Sequence, residues 1–374
     1  MKNWRGSVNR IRNIIFNFIL RMRSKPSSIT KFIRSQEPRQ LCNTPLLPGL
    51  NSDKVMVGAV QMRIELVRNG MDYVKKIFEL TRRAVEQGAQ LVIFPEDCAA
   101  VLLGLLPGVE KIIKGSDISS AINRLSGNDM KVADIFTVLA SAAKSVYVTT
   151  NSEIARYFGV YMIAGSIFLP DEDGRVYNQC YVFGPDGEIV GIQKKLHLFQ
   201  MESQWGLYPG TEFKIFKTRV GMIGIPICMD ATYFELCRIL ASEGVELLVM
   251  PSANPEIYRQ WEQLRGLWAR VQENCLYGVQ CCAVGNLAGM HIQGLTSFYA
   301  PFDMTDDRSG ILKTACTPDE EEIVVQSLDY EKLRKFRKKQ NPFAKLNYEL
   351  FKSSLLEAYE AYLSSMTEEG RSVL

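Results

Sequence analysis

The chain has 374 residues, of which 47% are hydrophobic, and a net charge of +3. This is the composition of a soluble, enzyme-sized globular protein that can bury a full core as one large domain or two ordinary ones. No stretch approaches the roughly 20 apolar residues that cross a bilayer, which argues against a transmembrane protein.

The N-terminal arm, residues 1 to 40, concentrates the positive charge. It contains ten Lys or Arg and one acid, Glu37, so it carries +9 and leaves −6 for the rest of the chain. Arginines surround apolar residues that recur at helical spacing, which predicts a short amphipathic basic helix. These apolar residues are Ile11, Ile14, Ile15, Phe18, Ile19 and Met22.

Three interpretations of this arm stay open: contact with a membrane surface, which we favour, a transit-type targeting peptide, or a solvated tail that packs on the body. Residues 24 to 52, rich in Ser, Pro, Asn and Gln, are typical of a linker. The acidic body and the lack of a binding motif argue against nucleic acid. We therefore expect a cytoplasmic protein, which would be peripheral to a membrane under the first of these interpretations.

From residue 54 onward, short β-rich runs alternate with longer runs of helical periodicity. Strands are predicted at 54–62, 91–94, 160–169, 176–183, 188–193, 213–217, 220–228, 247–250, 279–285 and 322–328. Helices are predicted at 71–87, 233–243, 257–276 and, as a peripheral element, 345–366. This alternation predicts an α/β architecture with stacked layers.

Two segments share one plan: residues 86–96, EQGAQLVIFPE, and residues 242–252, SEGVELLVMPS. In each, a helix end and a glycine precede an apolar strand that a proline terminates. The plan predicts Glu96 and Ser252 at comparable strand ends, on the rim where α/β proteins usually place their sites.

Cys228 follows an apolar run, 220–227, at a predicted strand-to-helix elbow. Thr232 and Glu235 fit a capping box for the next helix. At such an elbow a thiol is exposed to substrate, and the following backbone N–H groups can face an oxyanion. The alternative is a buried packing thiol.

The nine cysteines have no regular spacing and suit reduced thiols in a reducing compartment: Cys42, Cys98, Cys180, Cys228, Cys237, Cys275, Cys281, Cys282 and Cys316.

A cysteine nucleophile needs a base, and only His197 and His291 are available as histidines. Glu96 is an alternative, because partial burial at the end of an apolar strand would raise its pKa. Lys195 could supply a fixed positive charge to a thiolate or an oxyanion. The alternatives are a solvent-facing loop acid for Glu96 and a solvated turn for Lys195.

In this order the three motifs resemble the nitrilase superfamily of carbon–nitrogen hydrolases: Glu96 in VIFPE, Lys195 in KLHLF and Cys228 in GIPICMD. The resemblance covers roughly residues 54 to 330. It implies a four-layer α-β-β-α sandwich, a homodimer or larger homo-oligomer, and no metal or organic cofactor. The domains would then be the arm and linker at 1–52, the hydrolase domain at 53–330 and a helical C-terminal extension at 331–374.

The resemblance also implies roles for individual residues. Glu96, Lys195 and Cys228 would form the catalytic triad, with Glu202 as the family's second glutamate. The backbone N–H of Met229 would join Lys195 at the oxyanion. Apart from the resemblance, Asn254 and Trp268 are candidate residues of the substrate pocket. His197 is expected to be a structural neighbour of Lys195.

The implied activity is hydrolysis of a small linear amide or N-carbamoyl compound through a cysteine thioester. The segment DATYFE, residues 230–235, departs from the family pattern and leaves the substrate open. One alternative is an acyl or amide transferase that uses an amine acceptor, with the basic arm bringing it to a membrane. Another is a silent binding protein, against which the complete triad argues.

Overall fold

The structure, a computed structural model, describes residues 19–36, 53–109, 131–287, 289–344 and 346–368. Cys42 and most of the predicted arm helix lie outside these ranges. The helices are α1 (Pro26–Arg34), α2 (Gly70–Glu86), α3 (Val132–Phe158), α4 (Gln200–Gln204), α5 (Phe234–Ser242), α6 (Gln260–Leu264), α7 (Leu267–Asn274), α8 (Tyr330–Lys339) and α9 (Tyr348–Glu368). Short 3₁₀ helices cover Ala100–Leu105, Cys228–Ala231 and Phe302–Met304.

The strands belong to one hydrogen-bonded sheet, whose main path divides into two halves. They are β1 (Lys54–Ile64), β2 (Leu91–Ile93), β3 (Tyr161–Pro170), β4 (Val176–Phe183), β5 (Ile189–Lys194), β6 (Ile215–Thr218), β7 (Gly221–Gly224), β8 (Leu247–Ser252), β9 (Tyr277–Leu287), β10 (Met290–Ile292), β11 (Ser297–Tyr299), β12 (Ile311–Thr314) and β13 (Glu322–Asp329). The path runs β5-β4-β3-β2-β1-β9-β8-β7-β6, with β13 beside β1. β1 and β9 join the halves in parallel.

Three apolar clusters define the layers. The first packs α2 and α3 on the β1–β5 half, the second lies between the two halves, and the third packs α5 and α7 on the other half. Along β1, successive side chains point to opposite faces of the sheet, and this decides which cluster each residue joins. Val55 and Val57 face the central cluster, whereas Met62 and Ile64 face the first. The predicted four-layer α-β-β-α sandwich is confirmed.

Several element boundaries differ from the prediction for local reasons. The strand predicted at 220–228 ends at Gly224, because Pro226 cannot donate to a sheet ladder. The helix predicted at 257–276 divides into α6 and α7 at Gly266, whose ψ of −117° is not helical. β10, β11 and β12 were not predicted, whereas α9 lies where the sequence predicts a helix.

The linker predicted for 24–52 is wrong at α1. This helix has a proline in its first turn, and Ile29 and Ile33, one turn apart, are both buried. It packs on α3 and α2, so within the described part of the arm this helix is docked on the body. The boundary at residue 52 stays a prediction.

Helix α3 was not predicted, because its β-branched and polar run SVYVTTN, residues 145–151, weakens the helical signal. Burial of Val146, Tyr147 and Ile154 overrides that propensity. Among the described helices it is the one long and apolar enough to span a membrane by length and composition. Its contacts with β3, β4 and α1 identify it instead as a core helix.

Gly165 controls how β3 approaches the segment after β2. Its φ is +64°, and a Cβ there would lie 2.1 Å from the Pro95 carbonyl oxygen and 2.5 Å from the Cys98 sulfur. We expect Gly165→Ala to lower the free energy of unfolding by about 3 kcal/mol or more, from left-handed strain and overpacking together. Urea unfolding measures this. The matched control is Gly174→Ala, where φ is +78° but the space is open, and its expected cost is about 1 kcal/mol; equal costs would contradict the steric argument.

Candidate active site

Glu96 lies three residues beyond β2 and its side chain is buried. Its Oε1 accepts hydrogen bonds from Lys195 Nζ at 2.8 Å and from Asn178 Nδ2 at 2.9 Å. Its Oε2 accepts from the backbone N–H of Ala253, just beyond β8, at 3.0 Å. The ends of the two echoing strands, at Glu96 and Ser252, are therefore adjacent, as the sequence predicts.

Lys195 follows β5 directly and is 2% exposed. Besides Glu96, its ammonium binds Glu202 Oε2 at 2.5 Å. Glu202, in α4, also accepts from Asn178 Nδ2 at 2.9 Å and from the backbone N–H of Phe199 at 2.8 Å. The Lys195 ammonium and the Asn178 amide thus each bind both buried carboxylates. Without these partners, two buried carboxylates side by side would destabilise the folded protein.

Burial and charge act in opposite directions on these groups. Desolvation raises the pKa of Glu96 above its ordinary value, although Lys195 lowers it. Desolvation would lower the pKa of Lys195, but the charges of Glu96, of Glu202 and of Cys228 in its thiolate form outweigh it and raise that pKa well above the ordinary value. Lys195 therefore stays protonated, and Glu96 is a stronger base than an exposed glutamate.

Cys228 begins a 3₁₀ turn after β7 and has a φ of +46°, in the left-handed region. The hydroxyl of Ser252 contacts its sulfur at 3.7 Å. Burial raises the pKa of the thiol, and the charge of Glu96 adds to this, whereas Lys195 lowers it. Cys228 is thus a thiol at neutral pH, with the carboxylate of Glu96 beside it as a base. Its left-handed backbone conformation is also of the strained kind that is common at functional sites.

The capping box predicted at Thr232 and Glu235 is wrong. The 3₁₀ turn occupies Cys228–Ala231, so α5 begins only at Phe234 with Tyr233 as its N-cap and no side-chain cap. Glu235 instead accepts a hydrogen bond from the hydroxyl of Tyr359 in α9.

Asp230 joins the cysteine turn to the lysine segment. Its buried carboxylate accepts from the backbone N–H groups of Leu196 at 3.1 Å, His197 at 2.6 Å and Ile227 at 3.0 Å. His197 Nδ1 lies 2.9 Å from the same carboxylate, and its ring packs on Tyr233. These contacts support the structural role expected for His197.

We expect Asp230→Asn to lower the free energy of unfolding by about 2–4 kcal/mol, since one amide oxygen cannot replace a carboxylate that accepts several charge-assisted hydrogen bonds. Cys228 and Lys195 would also lose their common anchor, so activity should fall with stability. Thermal unfolding and turnover measure the two effects. Asp303→Asn, at a side chain that pairs with Arg308, is the control, and an equally small effect at both positions would refute the anchoring role.

A cavity of about 150 Å³ opens beside Cys228. Met229 and Asn254 line it, together with Ser252, Gln280 and Cys282. Trp268 was expected there, but it is not among the lining residues and its indole N–H donates to the Ser309 carbonyl at 2.9 Å. Of Glu96, Lys195 and Cys228, Cys228 lines the cavity, whereas Glu96 and Lys195 are buried.

Sequence reasoning missed Asn178 and Asp230 as parts of this site. Asn178 and Gln179 interrupt an otherwise apolar β4, and a buried polar pair in a strand is a signal for a polar network. Asp230 had a weaker signal, its position two residues after the cysteine. In both cases the sequence shows a polar residue but not the partner.

Known proteins share this chain's sequence pattern and fold. A sequence model of the carbon–nitrogen hydrolase family matches residues 56–338. The chain is 34% identical over 196 residues to the probable hydrolase YhcX of Bacillus subtilis, covering 51% of this chain and 38% of that protein. It is 30% identical over 330 residues to the chloroplastic omega-amidase of Arabidopsis thaliana, covering 84% of this chain and 78% of that protein.

Among solved structures, Saccharomyces cerevisiae Nit3, a member of branch 10 of the nitrilase superfamily, is similar with a TM-score of 0.56 and 22% identity. The match covers 79% of this chain and 96% of that chain. At this identity the similarity concerns the fold. The chain spans well under half the length of the Bacillus subtilis relative.

Proposed function

This chain belongs to the carbon–nitrogen hydrolase family of the nitrilase superfamily, and we propose that it hydrolyses a small linear amide or N-carbamoyl compound through a thioester on Cys228. One observation carries the proposal: the buried Lys195–Glu96 pair, joined at 2.8 Å, lies behind a thiol that lines a cavity. A relative named as an omega-amidase favours an amide as substrate.

In the first half-reaction, Glu96 accepts the thiol proton as the sulfur of Cys228 attacks the substrate carbonyl carbon. Negative charge develops on the carbonyl oxygen, where Lys195 and the backbone N–H of Met229 stabilise it. The C–N bond then breaks, Glu96 returns the proton to the leaving nitrogen, and ammonia departs from a thioester.

In the second half-reaction, Glu96 takes a proton from water, whose oxygen attacks the thioester carbonyl. The C–S bond breaks and the proton returns to the thiolate, which releases a carboxylic acid. Glu202 and Asn178 keep Lys195 and Glu96 aligned through both steps. Glu202 binds the Lys195 ammonium, and the Asn178 amide donates to both Glu96 and Glu202.

A substrate panel tests the proposal. Short unbranched amides and N-carbamoyl compounds are incubated with the full chain, and ammonia release and the intact mass of the protein are followed. We expect ammonia from a subset of amides and an acyl adduct that peptide mapping places on Cys228. Silence across the panel with no adduct would reject the proposal, and new amide products formed only when amines are added would favour the transferase.

A further inference from the structure

Residues 19–36 present a cluster of positive charge on the outside of the protein. This described part of the arm contains Arg21, Arg23, Lys25, Lys31 and Arg34 and no acid. Arg23 donates to the Leu105 carbonyl, and Arg34 pairs with Glu153 at 3.4 Å. The side chains of the other three are exposed and make no hydrogen bond or ion pair with any described residue.

The segment is docked on the body by its apolar residues. Leu20, Ile29 and Ile33 are buried in the first apolar cluster, and the ring of Phe32 packs edge-on against Phe78 in α2 at 6.0 Å. Gly70 allows the close approach, because a Cβ there would lie 2.9 Å from the Arg23 carbonyl. The backbone that carries the cations is therefore docked on the folded body.

The docked and exposed sides of the segment differ in chemistry. Lys31 lies midway between Ile29 and Ile33 in sequence, and at 3.6 residues per turn it points away from the side they bury. Met22, beside Arg21, is 52% exposed. The outward side thus combines free cations with an apolar side chain.

We propose that this basic face, defined by Arg21, Met22, Lys25 and Lys31, docks the protein on an anionic membrane surface. Clustered Lys and Arg beside apolar side chains are the pattern that anionic lipid headgroups attract. The charge is local, since the chain beyond residue 40 sums to −6. The sequence before it continues the pattern with Ile11, Ile14, Ile15 and Phe18 among four further cations. This apolar component favours a lipid surface over nucleic acid.

Vesicle co-sedimentation of the full chain tests this. We expect pelleting with vesicles that contain phosphatidylserine and not with phosphatidylcholine alone, and weaker pelleting at high salt. The triple variant Arg21→Ser, Lys25→Ser, Lys31→Ser should lower the partition coefficient about 100-fold, since each cation near the surface contributes on the order of fivefold. Met22→Ser should weaken binding that survives high salt.

The control triple variant is Lys214→Ser, Lys217→Ser, Lys338→Ser, which removes the same charge from exposed positions outside the arm. It should pellet like the wild type. Equal losses in both triple variants, pelleting that ignores lipid charge, or retention of an RNA oligomer in place of vesicles would each overturn the proposal. Ammonia release from a soluble amide should be the same in all variants, so failure here is distinct from failure of the proposed hydrolase.

Discussion

Cys228→Ser is expected to lower kcat/KM for amide hydrolysis by about 10⁴-fold or more while the fold remains intact. A serine hydroxyl is much less acidic than a thiol, so Glu96 cannot generate the nucleophile at neutral pH. The oxygen is smaller than sulfur, and the side chain is only half-buried with Ser252 as its contact. Ammonia release measures the first effect, and thermal unfolding should change by no more than a few degrees.

Cys316→Ser is the matched control, because this thiol is exposed and its contact is Glu322. It should retain full activity. If Cys228→Ser kept activity within about tenfold of the wild type, removal of the nucleophile could not be the explanation, and Cys228 would not be the attacking group.

The sequence predicted that three side chains meet because their motifs, taken in order, resemble those of one family, and each side chain follows the end of a strand. Glu96 comes after an apolar strand and a proline, Lys195 after β5, and Cys228 after β7. Strand ends of one sheet gather at one rim, so motifs far apart in sequence converge there. Their catalytic roles stay predictions, as do the cytoplasmic location, the homo-oligomer and the absence of a cofactor.

The partners of these side chains could not be predicted, because they depend on register and on which side of a strand faces the site. In the register of β4 and β5, the backbone N–H of Lys195 donates to the Asn178 carbonyl at 2.9 Å. This register places the Asn178 side chain beside Lys195, where it contacts the carboxylates of Glu96 and Glu202. Asp230 reaches Leu196 and His197 only after the chain turns at Cys228. Likewise, α3 forms in spite of its propensity, because tertiary burial decides it.

Lys195→Met should destabilise the protein by about 3–5 kcal/mol and nearly abolish activity. The substitution leaves Glu96 and Glu202 buried without the ammonium that binds both, and an uncompensated buried charge is costly. Loss of the cation beside the oxyanion should lower kcat a further 10²–10³-fold, roughly the effect of removing one oxyanion donor. Urea unfolding and turnover measured on the folded fraction separate the two effects.

The destabilisation should grow with pH, and this distinguishes lost charge from lost packing. In the wild type, Lys195 lowers the pKa of Glu96 against the effect of desolvation. Without it, the pKa of buried Glu96 rises further, so the folded state of the variant is favoured when Glu96 is protonated and loses stability as the pH rises through that pKa. The difference in free energy of unfolding between wild type and Lys195→Met should therefore be smaller at acidic pH than at neutral pH.

Lys194→Met is the control, since the Lys194 ammonium pairs with Asp171 at the surface and its loss should cost no more than about 1 kcal/mol. A pH-independent difference at Lys195 would mean that the ammonium does not compensate Glu96.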